Sequence, residues 1–218
     1  GDAFGMEMLH AGYTAIYGPG AGIHRSAFSG RNFEYYSEDG FISGKMFAAE
    51  TRGLQKRGVI VFAKHMVLND QERNRYGGTV WANEQAIREI YLKAFEGGIV
   101  EGKANVIMTS HNRIGATWSG AHSGLLNEIL RKEWGFTGIT ITDAAVSDHE
   151  FTSKAMAVAL VAGQDFWMYG SDKTSDLTEF KTNATVCLAM REAAHRILYN
   201  QLHSNGRKNI SADKQFRD

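Results

Sequence analysis

The chain has 218 residues, of which 43% are hydrophobic and 22% are charged, and its 24 basic and 24 acidic residues balance to a formal net charge of zero. This composition is typical of a soluble globular domain with a sizeable core. A neutral chain lacks the basic surface that binds nucleic acid or an anionic membrane, so neither is expected as a partner. No run approaches the roughly 20 apolar residues of a membrane span.

Short apolar runs alternate with helical patterns along the chain. Residues 4–11 have the pattern of a helix with no strand before it. The predicted strands cover 15–18, 58–64, 104–110, 138–143 and 165–170, and the predicted helices lie between and after them, at 41–54, 87–95, 125–130, 152–162 and 178–202. In the helix at 87–95, Ile87, Ile90, Tyr91 and Phe95 have the spacing that predicts one apolar face. Regular alternation of strands and helices predicts parallel strands joined by right-handed helical crossovers.

The predicted fold class is therefore α/β, a parallel (β/α)8 barrel of the TIM type that is incomplete in this chain. A closed barrel needs eight strands and typically about 250 residues, whereas about five strands are found here. We expect the first strands to be missing. The expected organisation is a partial barrel domain over residues 1–205 and a polar C-terminal tail over 206–218.

Polar side chains follow three of the predicted strands. Lys64 and His65 end one apolar run, His111 ends the next, and Asp143 ends the third. Because the carboxyl ends of parallel strands meet at one face of a barrel, where active sites of this fold lie, these four side chains are expected to lie together. The pattern predicts an enzyme site.

Two other site patterns are not supported. The glycines at 18, 20 and 22 follow a strand, but a dinucleotide-binding turn needs its third glycine at position 23, which is Ile23, and no helix opens directly afterwards. The eight histidines show neither the helical pairing of a metalloprotease nor a cysteine–histidine zinc spacing. No cofactor and no metal are expected.

Several ordered motifs resemble glycoside hydrolase family 3, the family of many β-glucosidases and β-xylosidases. They are Gly30-Arg-Asn-Phe-Glu34, Lys64-His65 with the acidic loop behind it, Met108-Thr-Ser-His-Asn112, Thr142-Asp143, and Ala162-Gly-Gln-Asp-Phe-Trp-Met168. The resemblance covers about residues 5 to 202. It implies a catalytic (β/α)8 barrel that hydrolyses β-linked glucosides or xylosides.

The resemblance also implies roles for individual residues. Asp143 would be the nucleophile that forms a covalent glycosyl-enzyme in a retaining reaction. The side chains that would bind the terminal sugar are Arg31, Lys64, His65, Met108 and His111.

Each assignment has a plainer alternative that the residues leave open. Asp143 also fits a helix cap, Lys64 and His65 fit a solvated loop, and Arg31 fits a structural ion pair with Glu34 or Glu38. His111 stands where the family usually has tyrosine and also fits an ordinary packed residue.

The chain departs from the family at two further points. Ala144 follows the expected nucleophile, where an aromatic residue is common, and the family's early Asp-Gly-Pro element is absent. The general acid/base is expected outside this chain, on an α/β sandwich domain of the same enzyme. The expected partners are thus a β-linked glucoside, the missing barrel segment and that domain. The alternative function is a non-catalytic sugar-binding or structural fragment.

Overall fold

The computed structural model describes residues 1–76, 78–144, 153–168 and 177–204. The predicted polar tail lies outside the described residues. The strands of this part of the chain are β1 (Ala15–Ile16), β2 (Ile60–Met66), β3 (Thr79–Val80), β4 (Val106–Thr109), β5 (Arg113–Ile114), β6 (Thr117–Trp118) and β7 (Ile139–Ile141). The α-helices and π-type helical segments are Asp2–His10, Gly40–Lys56, Glu84–Ala86, Ile87–Tyr91, Leu92–Glu96, Gly97–Glu101, Gly124–Glu133, Ser153–Ala162 and Ala184–Leu202.

The main sheet is parallel throughout and has the order β1-β2-β4-β7. Helical segments connect each of these strands to the next, which confirms the predicted α/β class with β-then-α alternation. The sheet does not close into a barrel within the described residues. A second, small sheet of order β3-β5-β6 lies at the carboxyl end of the main sheet, between residues 79 and 118.

The predicted fifth strand at 165–170 is present only as a single bridge. Phe166 pairs with Ile141 in parallel, beside β7. Residues 169 and 170 lie outside the described residues. The bridge places this segment beside β7, at the end of the main sheet.

Asparagine and aspartate caps define where three of the helices begin. Asp39 accepts a hydrogen bond from the Ile42 amide at 2.6 Å, and Asn83 accepts one from the Ala86 amide at 2.8 Å. Asn183 caps the last helix in the same way. Because a cap satisfies amides that have no partner inside the helix, these short polar residues set the starts of the helices.

The helical run over residues 84–101 differs from the predicted single apolar face. Its segments Ile87–Tyr91 and Gly97–Glu101 have wide π-type turns, which shift the phase of the side chains that follow. Phe95 is therefore buried at 1% exposure while Ile90 is 45% exposed. The prediction that Ile90 belongs to the buried face was wrong.

The strands pack on both faces, as their continuous apolar sequences predict. Val61, Ala63 and Ile107 belong to the large core between the sheet and the helices. Val106 and Met108 point the other way and form a separate apolar cluster with Ile141. The second cluster lies on the side of the sheet that would face the inside of a closed barrel. No helix of the described residues is long and apolar enough to cross a bilayer.

A buried ionic network fixes the end of the sheet. The carboxylate of Asp165, 1% exposed, accepts hydrogen bonds from Arg131 at 2.6 Å and from Arg196 at 2.7 Å. It also accepts the backbone amide of Thr140 at 2.9 Å and the Thr140 hydroxyl at 3.2 Å. One carboxylate therefore ties β7 to two helices, Gly124–Glu133 and Ala184–Leu202.

We expect Asp165→Asn to destabilise the fold strongly, because the neutral amide would leave two largely buried arginines without a counter-charge. Loss of one partner of a buried ion pair typically costs about 3–5 kcal/mol of unfolding free energy. Urea unfolding of the wild type and the variant measures this difference. Lys132→Gln is the control, since Lys132 forms an exposed pair with Glu128 on one of the same helices and should leave the midpoint unchanged. Equal midpoints for all three proteins would contradict the expectation.

Candidate active site

The glycine-rich segment after β1 lets one loop pack against another. A Cβ atom added at Gly20 would lie 2.6 Å from the Glu34 carbonyl oxygen, and one at Gly22 would lie 2.7 Å from the Tyr35 ring. The segment also runs beside β2, since the Ala21 amide donates to the Lys64 carbonyl at 2.7 Å. These glycines bring the loop that carries Glu34 close to Lys64, which accounts for the motif without a nucleotide.

A β-bulge positions the Lys64-His65 pair. Ala63 of β2 pairs with Ile107 and Met66 pairs with Thr109, so one extra residue of β2 stands opposite β4. Bulges re-aim side chains and are common beside active sites. Lys64 keeps 15% of its side-chain surface exposed, whereas the His65 side chain is buried at 2%. The pair lies inside the end of β2, which extends two residues beyond the predicted strand.

The carboxylate of Glu34 binds the two basic residues of the site, Arg31 and Lys64. Arg31 and Glu34 form a short ion pair, and the Lys64 ammonium lies 3.2 Å from the other oxygen of the same carboxylate. The guanidinium of Arg31 is also 3.7 Å from Glu72. The ion pair between Arg31 and Glu34, an alternative that the sequence left open, is therefore present. It holds two cations side by side with most of their surface buried.

Asp143 lies two residues beyond β7, and its two carboxylate oxygens have different surroundings. Oδ1 accepts a hydrogen bond from the Ala144 amide at 2.7 Å. Oδ2 lies 3.3 Å from Nε2 of His65, 3.3 Å from Nε2 of His111 and 3.9 Å from the Arg75 guanidinium. Oδ2 is buried, and none of these nitrogens is aligned to donate a hydrogen bond to it. One oxygen is thus fixed and the other is left with available lone pairs.

His65 is a neutral imidazole at neutral pH. Burial, together with the positive charges of Arg31 and Lys64, holds the pKa of His65 well below its usual range. Its Nδ1 is buried and has no hydrogen-bond partner among the described residues. A neutral imidazole can donate from one nitrogen and accept at the other, so this ring can bind a hydroxyl-bearing ligand while it faces Asp143.

The segment that carries His111 is tied down on both sides. The Ser110 hydroxyl donates to the Val67 carbonyl at 3.1 Å, and Asn112 donates to the same carbonyl at 3.1 Å. The Trp118 indole donates to the Ser110 carbonyl at 2.9 Å. The His111 ring itself, 1% exposed, meets the Tyr76 ring edge to face with centroids 4.6 Å apart.

The structure brings together most of the residues that the sequence predicted. His65 and His111 both lie beside Oδ2 of Asp143. Lys64 and Arg31 both form ion pairs with Glu34. Met108 is 2% exposed in the apolar cluster on the same side of the sheet, and its role in binding stays a prediction.

Three charged residues of the site were not assigned from the sequence. They are Arg75, Glu34 and Glu72. Arg75 lies 3.9 Å from Asp143 and 3.0 Å from Glu72. Glu34 and Glu72 both lie beside the Arg31 guanidinium. All three belong to motifs already quoted for the resemblance or to the loop directly behind one of them. Their presence in those motifs was the sequence signal that could have identified them. A charged residue type alone does not show whether a side chain belongs to a site or is solvated.

A cavity of about 310 Å³ adjoins this cluster through Arg75. Asp143 does not line it. Polar and aromatic side chains line it together, among them Arg25, Asp70, Arg75, Trp81, Tyr91 and Asn112. Burial raises the pKa of Asp70 to about 6, against the lowering effect of Arg25. Among the residues that the structure covers, no group of three histidine, cysteine, aspartate or glutamate side chains is placed to hold a metal ion.

The family comparison covers nearly the whole chain. Residues 1–198 match the sequence model described as the N-terminal domain of glycosyl hydrolase family 3. A β-glucosidase of Ruminococcus albus is 45% identical over 139 residues, which is 64% of this chain and 15% of that protein. β-Glucosidase B of Emericella nidulans is 35% identical over 202 residues, 91% of this chain and 23% of that protein. The chain thus spans less than a quarter of the length of these relatives.

Solved structures agree over the same span. β-Glucosidase 3B of Thermotoga neapolitana, solved in complex with α-D-glucose, superposes with a TM-score of 0.88 at 30% identity and covers 98% of this chain and 30% of its own. A family 3 β-glucosidase of Bifidobacterium adolescentis superposes with a TM-score of 0.86 at 29% identity and covers 97% of this chain and 30% of its own.

We expect Asp70→Asn to stabilise the fold at neutral pH and not at pH 4. Because the pKa of Asp70 is raised to about 6 in the folded state, from 3.8, the protonated form is favoured by folding. That contribution is complete below the unfolded pKa and is lost as the pH rises through about 6. The neutral amide of the variant cannot ionise, so Asp70→Asn should gain up to about 2–3 kcal/mol of unfolding free energy at neutral pH. Denaturant unfolding at pH 4 and pH 8 measures it, and an equal effect at both values would contradict the expectation.

Proposed function

We propose, on the premise that this chain belongs to glycosyl hydrolase family 3, that it supplies the nucleophile and part of the sugar site of a retaining β-glycoside hydrolase. The substrate is a β-linked glucoside or xyloside, from which the terminal non-reducing sugar is released. The observation that carries this proposal is the arrangement at Asp143, where the Ala144 amide holds one oxygen and the other is buried without an aligned donor.

Oδ2 of Asp143 is the attacking atom. Its lone pairs are not used in a hydrogen bond, and it faces nitrogens of His65, His111 and Arg75 within 4 Å. The oxygen attacks the anomeric carbon, the bond to the leaving-group oxygen breaks, and an ester joins the sugar to Asp143. Water then attacks the same carbon and returns the carboxylate. Two displacements at one carbon retain the β-configuration.

The cations and imidazoles beside Asp143 hold the sugar. Arg31 and Lys64 offer donors that their shared partner Glu34 keeps in place, and neutral His65 has a free Nδ1 among the described residues. Met108 forms an apolar floor, and His111 borders the anomeric side through its contact with Asp143. Fixed donors act most strongly where charge develops in an oxocarbenium-like transition state.

The proton for the leaving group comes from outside this chain. In a retaining enzyme the acid and the nucleophile are separate carboxyl groups on opposite sides of the scissile bond. Near Asp143 the described carboxylates are Glu34 and Glu72, and both are engaged with cations. A glutamate on an α/β sandwich domain of the same polypeptide fills this role in our proposal, together with the remaining barrel segment.

Trapping the covalent intermediate tests the proposal. The full-length protein that contains this chain, treated with an activated 2-deoxy-2-fluoro-β-glucoside, should gain one sugar on Asp143. The fluorine slows both displacements, and the activated leaving group restores the rate of the first alone, so the covalent intermediate accumulates. Peptide mass mapping locates the adduct. Asp143→Asn should take no label and should lose activity by a factor of roughly 10⁴ or more.

The control variant is His122→Gln, which should label like the wild type, because His122 lies before the helix Gly124–Glu133 and its Nδ1 accepts the Leu125 amide. An adduct on any other residue would overturn the assignment of Asp143. A full-length protein that binds glucose but neither labels nor hydrolyses an aryl glucoside would instead support a non-catalytic sugar-binding chain.

A further inference from the structure

Arg75 places a positive charge beside the reacting oxygen of Asp143. Its Nη1 lies 3.9 Å from Oδ2, and among the described residues no other arginine or lysine nitrogen lies within 4 Å of this carboxylate. The two side chains are 17% and 11% exposed, so water screens their attraction only weakly. The sugar contacts proposed above do not involve Arg75. Its charge therefore acts on the carboxylate rather than on the substrate.

Other partners hold the guanidinium short of a hydrogen bond to Oδ2. Nη1 of Arg75 lies 3.0 Å from Oε2 of Glu72 and donates to Oε1 of the same carboxylate at 3.3 Å. Nη2 donates to the Tyr76 hydroxyl at 3.4 Å. The backbone of Glu72 is itself anchored, because its amide donates to the Ser29 carbonyl at 3.2 Å. Arg75 is thus a fixed charge that leaves the attacking lone pair unused.

The guanidinium stays charged throughout the proposed reaction. Burial lowers the pKa of Arg75, but the Tyr76 hydroxyl and the carboxylates of Glu72 and Asp143 raise it by more, so that the net direction is upward. Its pair with Glu72 does not depend on the charge of Asp143. Arg75 therefore remains a cation beside Oδ2 when Asp143 carries a sugar and has no charge of its own.

The charge of Asp143 changes in opposite directions in the two displacements. The carboxylate starts the first displacement as an anion and loses this charge as the ester forms. In the second, water attacks the anomeric carbon and the bond from that carbon to Oδ2 breaks. The electron pair of that bond returns to Asp143, and the proton of the water passes to the acid/base outside this chain.

A fixed cation therefore acts differently on the two steps. Before the first displacement it stabilises the full anion at least as well as the transition state, so it gives no acceleration. Before the second displacement the ester has no charge to stabilise, whereas negative charge develops on Oδ2 as the bond breaks. An interaction that is stronger in the transition state than in the ground state accelerates the step. The charge of Arg75 thus favours the second displacement.

We propose that Arg75 is a further catalytic residue, whose charge stabilises the Asp143 carboxylate as it leaves the sugar during hydrolysis of the glycosyl-enzyme. The inference rests on the proposed function of Asp143. It adds a residue that acts on the breakdown of the covalent intermediate and not on its formation, a division of labour that kinetics can separate.

The full-length protein with 2,4-dinitrophenyl β-D-glucoside measures both steps. The leaving group departs without an acid, so kcat reports hydrolysis of the glycosyl-enzyme and kcat/KM reports its formation. In Arg75→Met, kcat should fall about 10- to 100-fold, after a burst of dinitrophenolate. The value of kcat/KM should change much less, so that KM falls with kcat. A merely structural role would not give this split, since loss of folded protein lowers kcat and kcat/KM equally.

The labelled enzyme follows the second step directly. Once excess 2-deoxy-2-fluoro-β-glucoside is removed, intact mass shows the sugar leaving Asp143. Its release from Arg75→Met should be about 10- to 100-fold slower than from the wild type. Arg75→Lys keeps a positive charge and should recover part of the rate. Thermal unfolding midpoints show that each variant is folded, and Arg75→Gln removes the same charge if Arg75→Met does not fold.

Arg88→Met is the matched control, because Arg88 also pairs with a glutamate, Glu133, at 2.7 Å, between the helical segments Ile87–Tyr91 and Gly124–Glu133. It should keep the wild-type kcat, KM and rate of sugar release. Unchanged kcat and release in a folded Arg75→Met would overturn the inference, as would equal falls in kcat and kcat/KM. Either result with the label on Asp143 overturns this inference alone, whereas a label on another residue overturns the proposed function.

Discussion

The buried carboxylate of Asp165 fixes the position of β7, the strand that leads to Asp143. Two arginines from different helices and the amide of Thr140 converge on this one group. Burial of charges is costly, and the cost is offset here because each carboxylate oxygen has a charged partner and the strand amide is satisfied as well. Asp143 follows the strand that this network anchors, so the position of the Asp143 carboxylate depends on ion pairs that lie outside the candidate site.

The site itself is built around two carboxylates with opposite tasks. Glu34 is engaged on both oxygens by Arg31 and Lys64, which makes it a brace for cations. Asp143 has one oxygen that accepts the Ala144 amide and a second, buried oxygen that lies 3.3 Å from two imidazole nitrogens without an aligned hydrogen bond. Both side chains are carboxylates, and their different neighbours give them different roles in the structure. The β-bulge of β2 stands between them and aims Lys64 at one and His65 at the other.

The elements that the sequence predicted best are those in which one local signal dominates. Continuous apolar runs predicted the parallel strands β2, β4 and β7, and the helical pattern at 41–54 predicted the helix Gly40–Lys56. Prediction was wrong at Ile90, because a π-type turn changed the helical phase and the sequence carries no signal for such a turn. The segment 165–170 was predicted as a strand, and within its described residues a single bridge at Phe166 is formed.

The sequence by itself determined the α/β alternation, the family and the identity of Asp143, Lys64 and His65 as strand-end residues, since strand period, motif order and residue chemistry are local properties. Tertiary structure alone decided that Arg75 reaches Asp143, that Glu34 braces two cations, and that Oδ2 is shared by His65 and His111. Except for the Arg31–Glu34 pair, these contacts join residues that are between 30 and 78 positions apart in the chain. Only packing brings such segments within 4 Å, and no local pattern records that distance.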